Sequence, residues 1–473
     1  MGKIAQKSRL SARVVKALGI FGSIQLITMI CSVVRTKLVA VWIGTAGVGI
    51  ISLYNATLDL IKFLASLDIN QCAVPEIAKA SAAEKPAATY LVKRVSFVFG
   101  TVGSVATLIA SPFLSKLTFG SYDYTWGFAL LSPTVFCAVL SNSLTAILQG
   151  LDRLKELAKA GLYGSLCATV AAIPMFYFMR CAAIVPVLIA YQLAAMIFLL
   201  VPHLEKSAVV PGRAELRRAL GSYLRLGAGL TLGVATGMAA DYLLRVYINS
   251  CASIETVGIF QAGATIIKSY VGILFTAICM EYFPRLSATI RRRRITSVVV
   301  SHEIAMSLWI LMPVVVIFIA ADRLIVNLLY SQSFMPVIPL IGIAIASTFF
   351  RAVSWCLSLV IVARGDSVRY ILTEAVSGAS LLVLGIAGWH FGGMAGIGAA
   401  IVGQFVVHAL VTFLVCRRCY SLELSKSLPA LLLMALAVWG AAVGLKLWLG
   451  WWAPLVALLP WLIPITVKRL KIR

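Results

Sequence analysis

Long apolar runs separated by short polar segments fill almost the whole of this 473-residue chain. A helix needs about 20 apolar residues to cross a bilayer, so we predict fourteen spans and no soluble domain. They lie at approximately 17–43, 47–74, 92–118, 125–149, 159–179, 183–203, 222–248, 256–284, 297–321, 334–362, 370–389, 394–416, 428–446 and 451–467. Four prolines crowd the last two spans and make twelve the alternative count: Pro429, Pro454, Pro460 and Pro464. The pattern predicts an all-α polytopic membrane protein.

One apolar stretch occurs twice. The first copy runs from Val48–Ile50 to Pro75 and the second from Val257–Ile259 to Pro284, and five positions match at a constant offset of 209 residues. Each copy is predicted to end at its proline, because proline breaks the backbone hydrogen-bond ladder. An offset of six spans predicts two parallel six-helix bundles, related by a pseudo-two-fold axis along the membrane normal.

This repeat defines the predicted domains. Residues 1–205 form an N-terminal six-helix lobe, and residues 206–420 form a C-terminal six-helix lobe. Residues 421–473 add two C-terminal spans and a basic tail outside the repeat.

The distribution of charge sets the topology. The net charge of +24 does not indicate nucleic-acid binding, which requires a basic face on a soluble domain. With the N-terminus in the cytoplasm, the inside segments carry 31 Lys and Arg residues and the outside loops carry five. Cytoplasmic loops hold such an excess, so both termini are predicted to be cytoplasmic. The cysteines lie mostly in apolar runs and the four histidines are scattered, so no metal or cofactor site is predicted.

Five cations lie within the predicted spans. A charge at the centre of a bilayer costs about 2.5–3.5 kcal/mol on insertion scales, so these residues need a partner, a cavity or the interface. Four of them lie in repeat-equivalent spans, two in spans one and two and two in spans seven and eight, and the fifth lies in span ten. This distribution predicts one basic chamber for a substrate that carries phosphate or carboxylate. The alternative is that Arg35 and Arg245 extend to the outer interface. The candidate substrate-binding residues are Arg35, Lys62, Arg245, Lys268 and Arg351.

Three acids within the spans are candidates for coupling transport to H⁺ or Na⁺, namely Asp59, Asp241 and Glu374. Asp59 lies three residues before Lys62, and Asp241 lies four before Arg245, so each pair shares a helix face. Simple charge pairing is the alternative for both. Glu374 has no cation within the following turn. Asp68 and Glu281 are expected near the cytoplasmic ends of their spans.

The glycine-rich run at residues 392–398 is only superficially similar to a phosphate-binding loop. It lacks the Lys and Ser/Thr of a nucleotide site. We predict a turn with close helix packing.

Several short segments resemble bacterial Wzx-type polysaccharide flippases of the multidrug/oligosaccharidyl-lipid/polysaccharide exporter superfamily. They include Lys37–Ala40 with Gly44–Gly49, Ala73–Ala78, Ala240–Leu244, and Val257–Ala262 continuing through Phe283–Ala288. The resemblance spans roughly residues 10–420. It implies two six-helix bundles in a V around a central cavity, with the two extra C-terminal spans similar to those of peptidoglycan-precursor flippases.

The resemblance also implies a function. An undecaprenyl-pyrophosphate-linked oligosaccharide, such as an O-antigen or capsule repeat unit, would move from the cytoplasmic to the periplasmic leaflet of a bacterial inner membrane. Its head group would occupy the basic chamber, and other polysaccharide-assembly membrane proteins are expected partners.

Two other functions remain open at this point. The first is a multidrug or small-solute cation antiporter of the same fold, which the absence of acids from residues 17–34 disfavours. The second is a membrane glycosyltransferase, polymerase or ligase. Such enzymes generally need catalytic groups on a sizeable outer loop, and this chain has none, so we predict that it is not an enzyme.

Overall fold

The computed structural model describes residues 27–28, 30–67, 69–81, 84–203, 213–270 and 272–458. Within these ranges the chain forms helices and turns and no β-strand, so the all-α prediction is confirmed. The basic N-terminal segment, Asp68 and most of the predicted last span lie outside the described residues.

Helix α1 covers residues 30–42 and α2 begins directly after it. The remaining helices are α2 Gly44–Ser66, α3 Ile69–Lys79, α4 Lys85–Phe119, α5 Thr125–Gly150, α6 Leu154–Met179, α7 Ile184–Leu200, α8 Arg213–Cys251, α9 Ile254–Thr265, α10 Gly272–Thr289, α11 Arg293–Leu329, α12 Ile338–Ala344, α13 Ser347–Ala363, α14 Ser367–Tyr420 and α15 Leu428–Leu449. A π-helical turn, Ile266–Tyr270, follows α9.

The chain divides into two compact units, residues 1–235 and residues 236–473, and the division falls inside α8. We refer to them as unit 1 and unit 2. The lobe boundaries predicted at residues 205 and 420 stay predictions.

Small residues allow close helix packing within unit 1. A Cβ at Gly100 of α4 would lie 3.0–3.3 Å from Phe136 of α5, and one at Gly103 would lie 2.7 Å from the Cβ of Ala65 in α2. Since dispersion and close backbone approach drive helix association in lipid, these glycines serve packing, as their spacing indicates.

Helix α14 is a hairpin in which two predicted spans fold back on each other. A continuous helix would separate Glu374 and His408, 34 residues apart, by about 51 Å, yet their side chains lie 3.6 Å apart. The chain reverses at Gly393, whose backbone angles are φ 53° and ψ −130°. The predicted turn at residues 392–398 is confirmed.

The same reversal occurs in unit 1. Arg180 joins α6 to α7 with φ 47° and ψ −122°, and it precedes Gly393 by 213 residues. This spacing is close to the 209-residue offset of the sequence repeat, so the two units share a local element as well as a sequence pattern.

The predicted number of spans is not confirmed. Among the described residues, seven helical segments are long and apolar enough to cross a membrane, or eight if the bent pair Gln332–Ala344 and Ser347–Ala363 forms one span. Two of the seven segments, Leu154–Leu200 and Ser367–Tyr420, contain the reversals at Arg180 and Gly393 and therefore each combine two predicted spans.

The prediction that Pro75 and Pro284 end their helices is wrong. Pro75 lies inside α3, which continues to Lys79, and Pro284 lies inside α10, which continues to Thr289. The first interruption comes earlier, at Leu67, which adopts a left-handed conformation with φ 45°. Membrane helices tolerate proline where neighbouring groups compensate for the lost hydrogen bond.

The C-terminal helix α15 packs within unit 2 against α11. Lys446 forms an ion pair with the buried carboxylate of Asp322 and donates a hydrogen bond of 2.8 Å to the carbonyl oxygen of Ile319. The indole nitrogen of Trp439 donates to the carbonyl oxygen of Gly342 at 3.1 Å. Lys446 therefore belongs to the last turn of a packed helix.

The α14 hairpin provides a stability prediction. A Cβ at Gly396 would lie 1.8 Å from the carbonyl oxygen of Gly388, a backbone atom that cannot turn aside. We expect Gly396→Ala to lower the unfolding free energy by about 1–3 kcal/mol, the usual cost of overpacking. Gly392→Ala is the matched control, since no heavy atom lies within 4 Å of its Cβ position. Equal thermal midpoints for both purified variants would contradict the close hairpin.

Candidate functional site

A network of charged side chains in unit 2 centres on Asp241 of α8. Arg245, one turn later, forms an ion pair with this carboxylate and also donates to the carbonyl oxygen of Asp241 at 3.0 Å. Residues four apart share a helix face, so the sequence predicts this pair. Lys268 contributes a second cation and donates to the other carboxylate oxygen at 2.6 Å.

Helix α9 completes the network with neutral groups. Arg245 donates to the side-chain oxygen of Gln261 at 2.9 Å, and the Gln261 amide donates to the hydroxyl of Thr265 at 3.0 Å. The π-helical turn Ile266–Tyr270 carries Lys268. Single π-helical turns often occur at functional sites.

The members of this network differ in exposure. Arg245 is buried, with 7% of its side chain exposed, whereas Lys268 exposes 42%. The Arg245 guanidinium is bonded to Asp241 and Gln261 inside unit 2. Lys268 keeps part of its side chain exposed. The network thus combines a largely buried ion pair with one partly exposed cation.

Arg351 on α13 is the third candidate substrate-binding cation in unit 2. Its guanidinium lies over the rings of Phe275, at 4.9 Å, and Phe405, at 5.9 Å. Its Nη1 atom is buried and has no hydrogen-bond partner among the described residues. Cation–π contacts offset only part of the cost of burying a charge, so this nitrogen has unused capacity for an anion.

The candidates in unit 1 form two separate contacts. Lys62 lies 3.7 Å from Asp59, the pair predicted from their spacing. Arg35 lies over the ring of Tyr191 at 4.4 Å. The single chamber predicted from both halves stays a prediction, as do the roles of all eight candidate residues.

Glu374 has a partner that the sequence analysis missed. Its carboxylate faces the Nε2 atom of His408 at 3.6 Å across the α14 hairpin. Nearby, Gln404 donates to the hydroxyl of Ser377 at 3.3 Å. Gln404 and His408 lie four residues apart in an apolar run, so helical periodicity could have identified them as one polar face.

Two other kinds of site to consider in the described residues are a metal centre and a pocket. These residues contain no group of three or more His, Cys, Asp or Glu side chains placed to hold a metal. A cavity of about 580 Å³ in unit 2 has mainly apolar walls, and none of the eight candidate residues lines it. Its polar lining includes Arg417, Glu423 and Lys426.

Comparison with solved structures identifies the fold. A multidrug resistance MATE family transporter of the MOP superfamily, in an inward-facing conformation, aligns with a TM-score of 0.70 and 16% identity, covering 85% of this chain and 98% of its own. The lipid II flippase MurJ aligns with a TM-score of 0.72 and 13% identity, covering 96% and 99%. A MOP superfamily transporter from Pyrococcus furiosus aligns with a TM-score of 0.63 and 16% identity, covering 88% and 96%.

These identities are low, so the structures establish the fold and not the function. No curated protein sequence matches the chain. The family described as polysaccharide biosynthesis protein matches residues 48–339, which is more than half of the chain. The chain therefore has a MOP-type transporter fold and belongs to the polysaccharide biosynthesis protein family.

Proposed function

We propose that this protein is a flippase that moves an undecaprenyl-pyrophosphate-linked oligosaccharide from the cytoplasmic to the periplasmic leaflet by alternating access. The observation that carries the proposal is that the candidate cations of unit 2 outnumber their carboxylate partners. Asp241 is shared by Arg245 and Lys268, and the guanidinium of Arg351 has no carboxylate in ion-pair contact among the described residues.

An anionic ligand resolves this surplus. A buried cation without a counter-ion is costly, and charge-assisted hydrogen bonds to phosphate are strong in a low-dielectric setting. A pyrophosphate group presents several acceptor oxygens, which suit both the unpaired Nη1 atom of Arg351 and the partly exposed side chain of Lys268. The same groups would repel a cationic drug, so the site favours an anionic substrate over the cation-antiporter alternative.

Family membership and fold support the same proposal. The family is one of polysaccharide biosynthesis, and one structure of the same fold is a lipid II flippase. We infer that a transporter in such a pathway carries a glycan attached to a lipid. We further propose that the protein lies in a bacterial inner membrane, that its termini are cytoplasmic, and that other polysaccharide-assembly proteins act beside it.

Cellular accumulation of the substrate tests the proposal. A strain that lacks the protein is expected to accumulate lipid-linked repeat units on the inner leaflet, and the wild-type protein should reverse this accumulation. Unchanged leaflet distribution in the deletion strain, with no second transporter present, would contradict the proposal. Loss of repeat-unit synthesis itself would instead indicate an enzyme.

Substitution of Arg351 should lower transport without lowering the stability of the protein. Because its buried Nη1 atom is unpaired, we expect Arg351→Met to leave the thermal midpoint unchanged or higher, since removing an uncompensated buried charge is not destabilising. Transport should fall by about tenfold or more, which corresponds to about 1.4 kcal/mol of lost substrate interaction. A variant that transports normally would show that Arg351 does not contact the substrate.

Lys268 tests the accessible side of the network. A hydrogen bond to a charged group contributes about 1.5–3 kcal/mol, so Lys268→Gln should weaken binding of the pyrophosphate-linked glycan by roughly 10- to 150-fold. Binding of the corresponding uncharged polyprenol should not change. Lys426→Gln is the control, because Lys426 is an exposed lysine outside the predicted spans. Equal losses for both ligands would contradict a head-group contact.

A further inference from the structure

The two halves of α14 enclose a small polar cluster between apolar helices. Glu374 and Ser377 lie on the first half, while Gln404 and His408 lie on the second, and the two contacts described above join them in pairs. The Oε1 atom of Gln404 and the Nε2 atom of His408 are buried without a hydrogen-bond partner among the described residues. Buried polar groups are normally satisfied, so the cluster is incomplete as it stands.

We propose that Glu374 and His408 together form the proton-binding site that couples transport to a proton gradient. This inference rests on the proposed function and specifies the coupling ion and its residues. An ionised carboxylate beside a neutral imidazole leaves one uncompensated negative charge between the helices. One added proton makes the pair neutral overall, whichever of the two side chains holds it.

The proton also completes the contact between the two helices. At 3.6 Å, the Glu374 and His408 atoms are too far apart for a hydrogen bond but close enough to form one after a small movement. When the neutral imidazole carries its hydrogen on Nδ1, Nε2 and the carboxylate oxygen are two facing acceptors. Protonation of either group then places a donor between them, and the bond is charge-assisted when His408 holds the proton. Binding and release of one proton would therefore tighten and loosen the hairpin.

The exposure of the two side chains fits these roles. Glu374 exposes 28% of its side chain and can exchange a proton with its surroundings, whereas His408 exposes 8% and is held inside. The other two coupling candidates are paired with cations, since Asp59 contacts Lys62 and Asp241 contacts both Arg245 and Lys268. A carboxylate that is paired with a cation takes up a proton less readily, because the cation stabilises its ionised form.

Other titratable groups around the hairpin have contacts of their own. At its inner end, burial opposes ionisation of Asp366, but hydrogen bonds from Tyr420 and Arg369 outweigh it and lower the pKa of this carboxyl, which remains ionised near neutral pH. On the neighbouring α13, Arg351 lies over Phe405. Further titratable residues on the packed elements include Asp241, Tyr242, Arg245, Tyr247, Cys356, Arg364, Tyr370 and Cys416.

Reconstituted transport under an imposed gradient tests the inference. Proteoliposomes would carry the pyrophosphate-linked glycan, with the acidic compartment on the side to which it moves. One pH unit is worth about 1.4 kcal/mol, so one-proton coupling should accelerate wild-type flipping by up to about tenfold per unit. Glu374→Gln should flip at a rate that no longer depends on the gradient. Glu423→Gln, which changes an exposed acid outside the predicted spans, should respond as the wild type does.

The outcomes test the flippase function and the proton-binding site separately. A wild-type protein that does not flip the glycan at all contradicts the proposed function. A wild-type protein that flips without responding to pH, or that responds to a Na⁺ gradient instead, overturns only the proton site. Retained pH response in Glu374→Gln also overturns it.

A second variant covers the case in which Glu374→Gln does not fold. His408→Gln keeps the carboxylate but removes its titratable partner, so the pH at which the response is half-maximal should shift. An unchanged midpoint in this variant would overturn the role of His408 and with it the paired site.

Discussion

Asp241→Leu is expected to destabilise the protein by about 3–5 kcal/mol, because it leaves the buried guanidinium of Arg245 without its carboxylate. Removing both charges with Asp241→Leu/Arg245→Leu should recover most of this loss, since an apolar pair of similar volume has no uncompensated charge. Unfolding of the purified single and double variants by denaturant measures the difference. A double variant as unstable as the single one would show that the ion pair is not the source of the effect.

Transport should not recover in the Asp241→Leu/Arg245→Leu double variant, although stability should. Asp241 holds Lys268 as well as Arg245, so the double variant leaves the Lys268 ammonium without its anchor. We expect the double variant to fold but to flip the glycan at least about tenfold more slowly, a loss of about 1.4 kcal/mol in transition-state interaction. Recovery of both stability and flipping would assign the network a purely structural role.

Lys446→Met should destabilise unit 2 by about 3–5 kcal/mol, because Asp322 exposes only 3% of its side chain and Lys446 is its ion-pair partner. The double variant Asp322→Leu/Lys446→Met should recover most of the stability. Lys426→Met provides the control, since Lys426 is exposed. Thermal unfolding of the four proteins makes the comparison.

Loss of the Asp322–Lys446 ion pair should affect the C-terminal helix α15 first. Lys446 anchors α15 to α11, so its loss should expose the α15 helix to protease before the rest of unit 2. Cleavage at the same protease concentration in wild type and variant would show that other contacts, such as that of Trp439, hold the helix without the ion pair.

Sequence reasoning succeeded where contacts are local. The spacing of Asp241 and Arg245, and that of Asp59 and Lys62, gave pairs that the structure contains. The glycine-rich run gave the reversal at Gly393. In each case helix periodicity or backbone geometry alone determines the outcome.

Sequence reasoning did not find contacts between segments that are distant along the chain. Asp322 and Lys446 are 124 residues apart, and Glu374 and His408 are 34 apart. Knowing that a hairpin turns near residue 393 does not give the register of its two helices, which depends on how Gly388 and Gly396 pack. The predicted helix ends at Pro75 and Pro284 failed for a related reason, because surrounding helices can compensate for a proline.

Direct measurement of lipid flipping tests the central claim, that cations of unit 2 carry an anionic lipid head across the membrane. Purified protein in liposomes would be given a fluorescent polyprenyl-pyrophosphate-linked glycan, and a membrane-impermeant quencher would report its leaflet. The wild-type protein should move this lipid between leaflets, Arg351→Met should do so at least about tenfold more slowly, and neither should move a cationic dye. Transport of the dye without movement of the glycan would show that the unit 2 cations do not carry an anionic lipid.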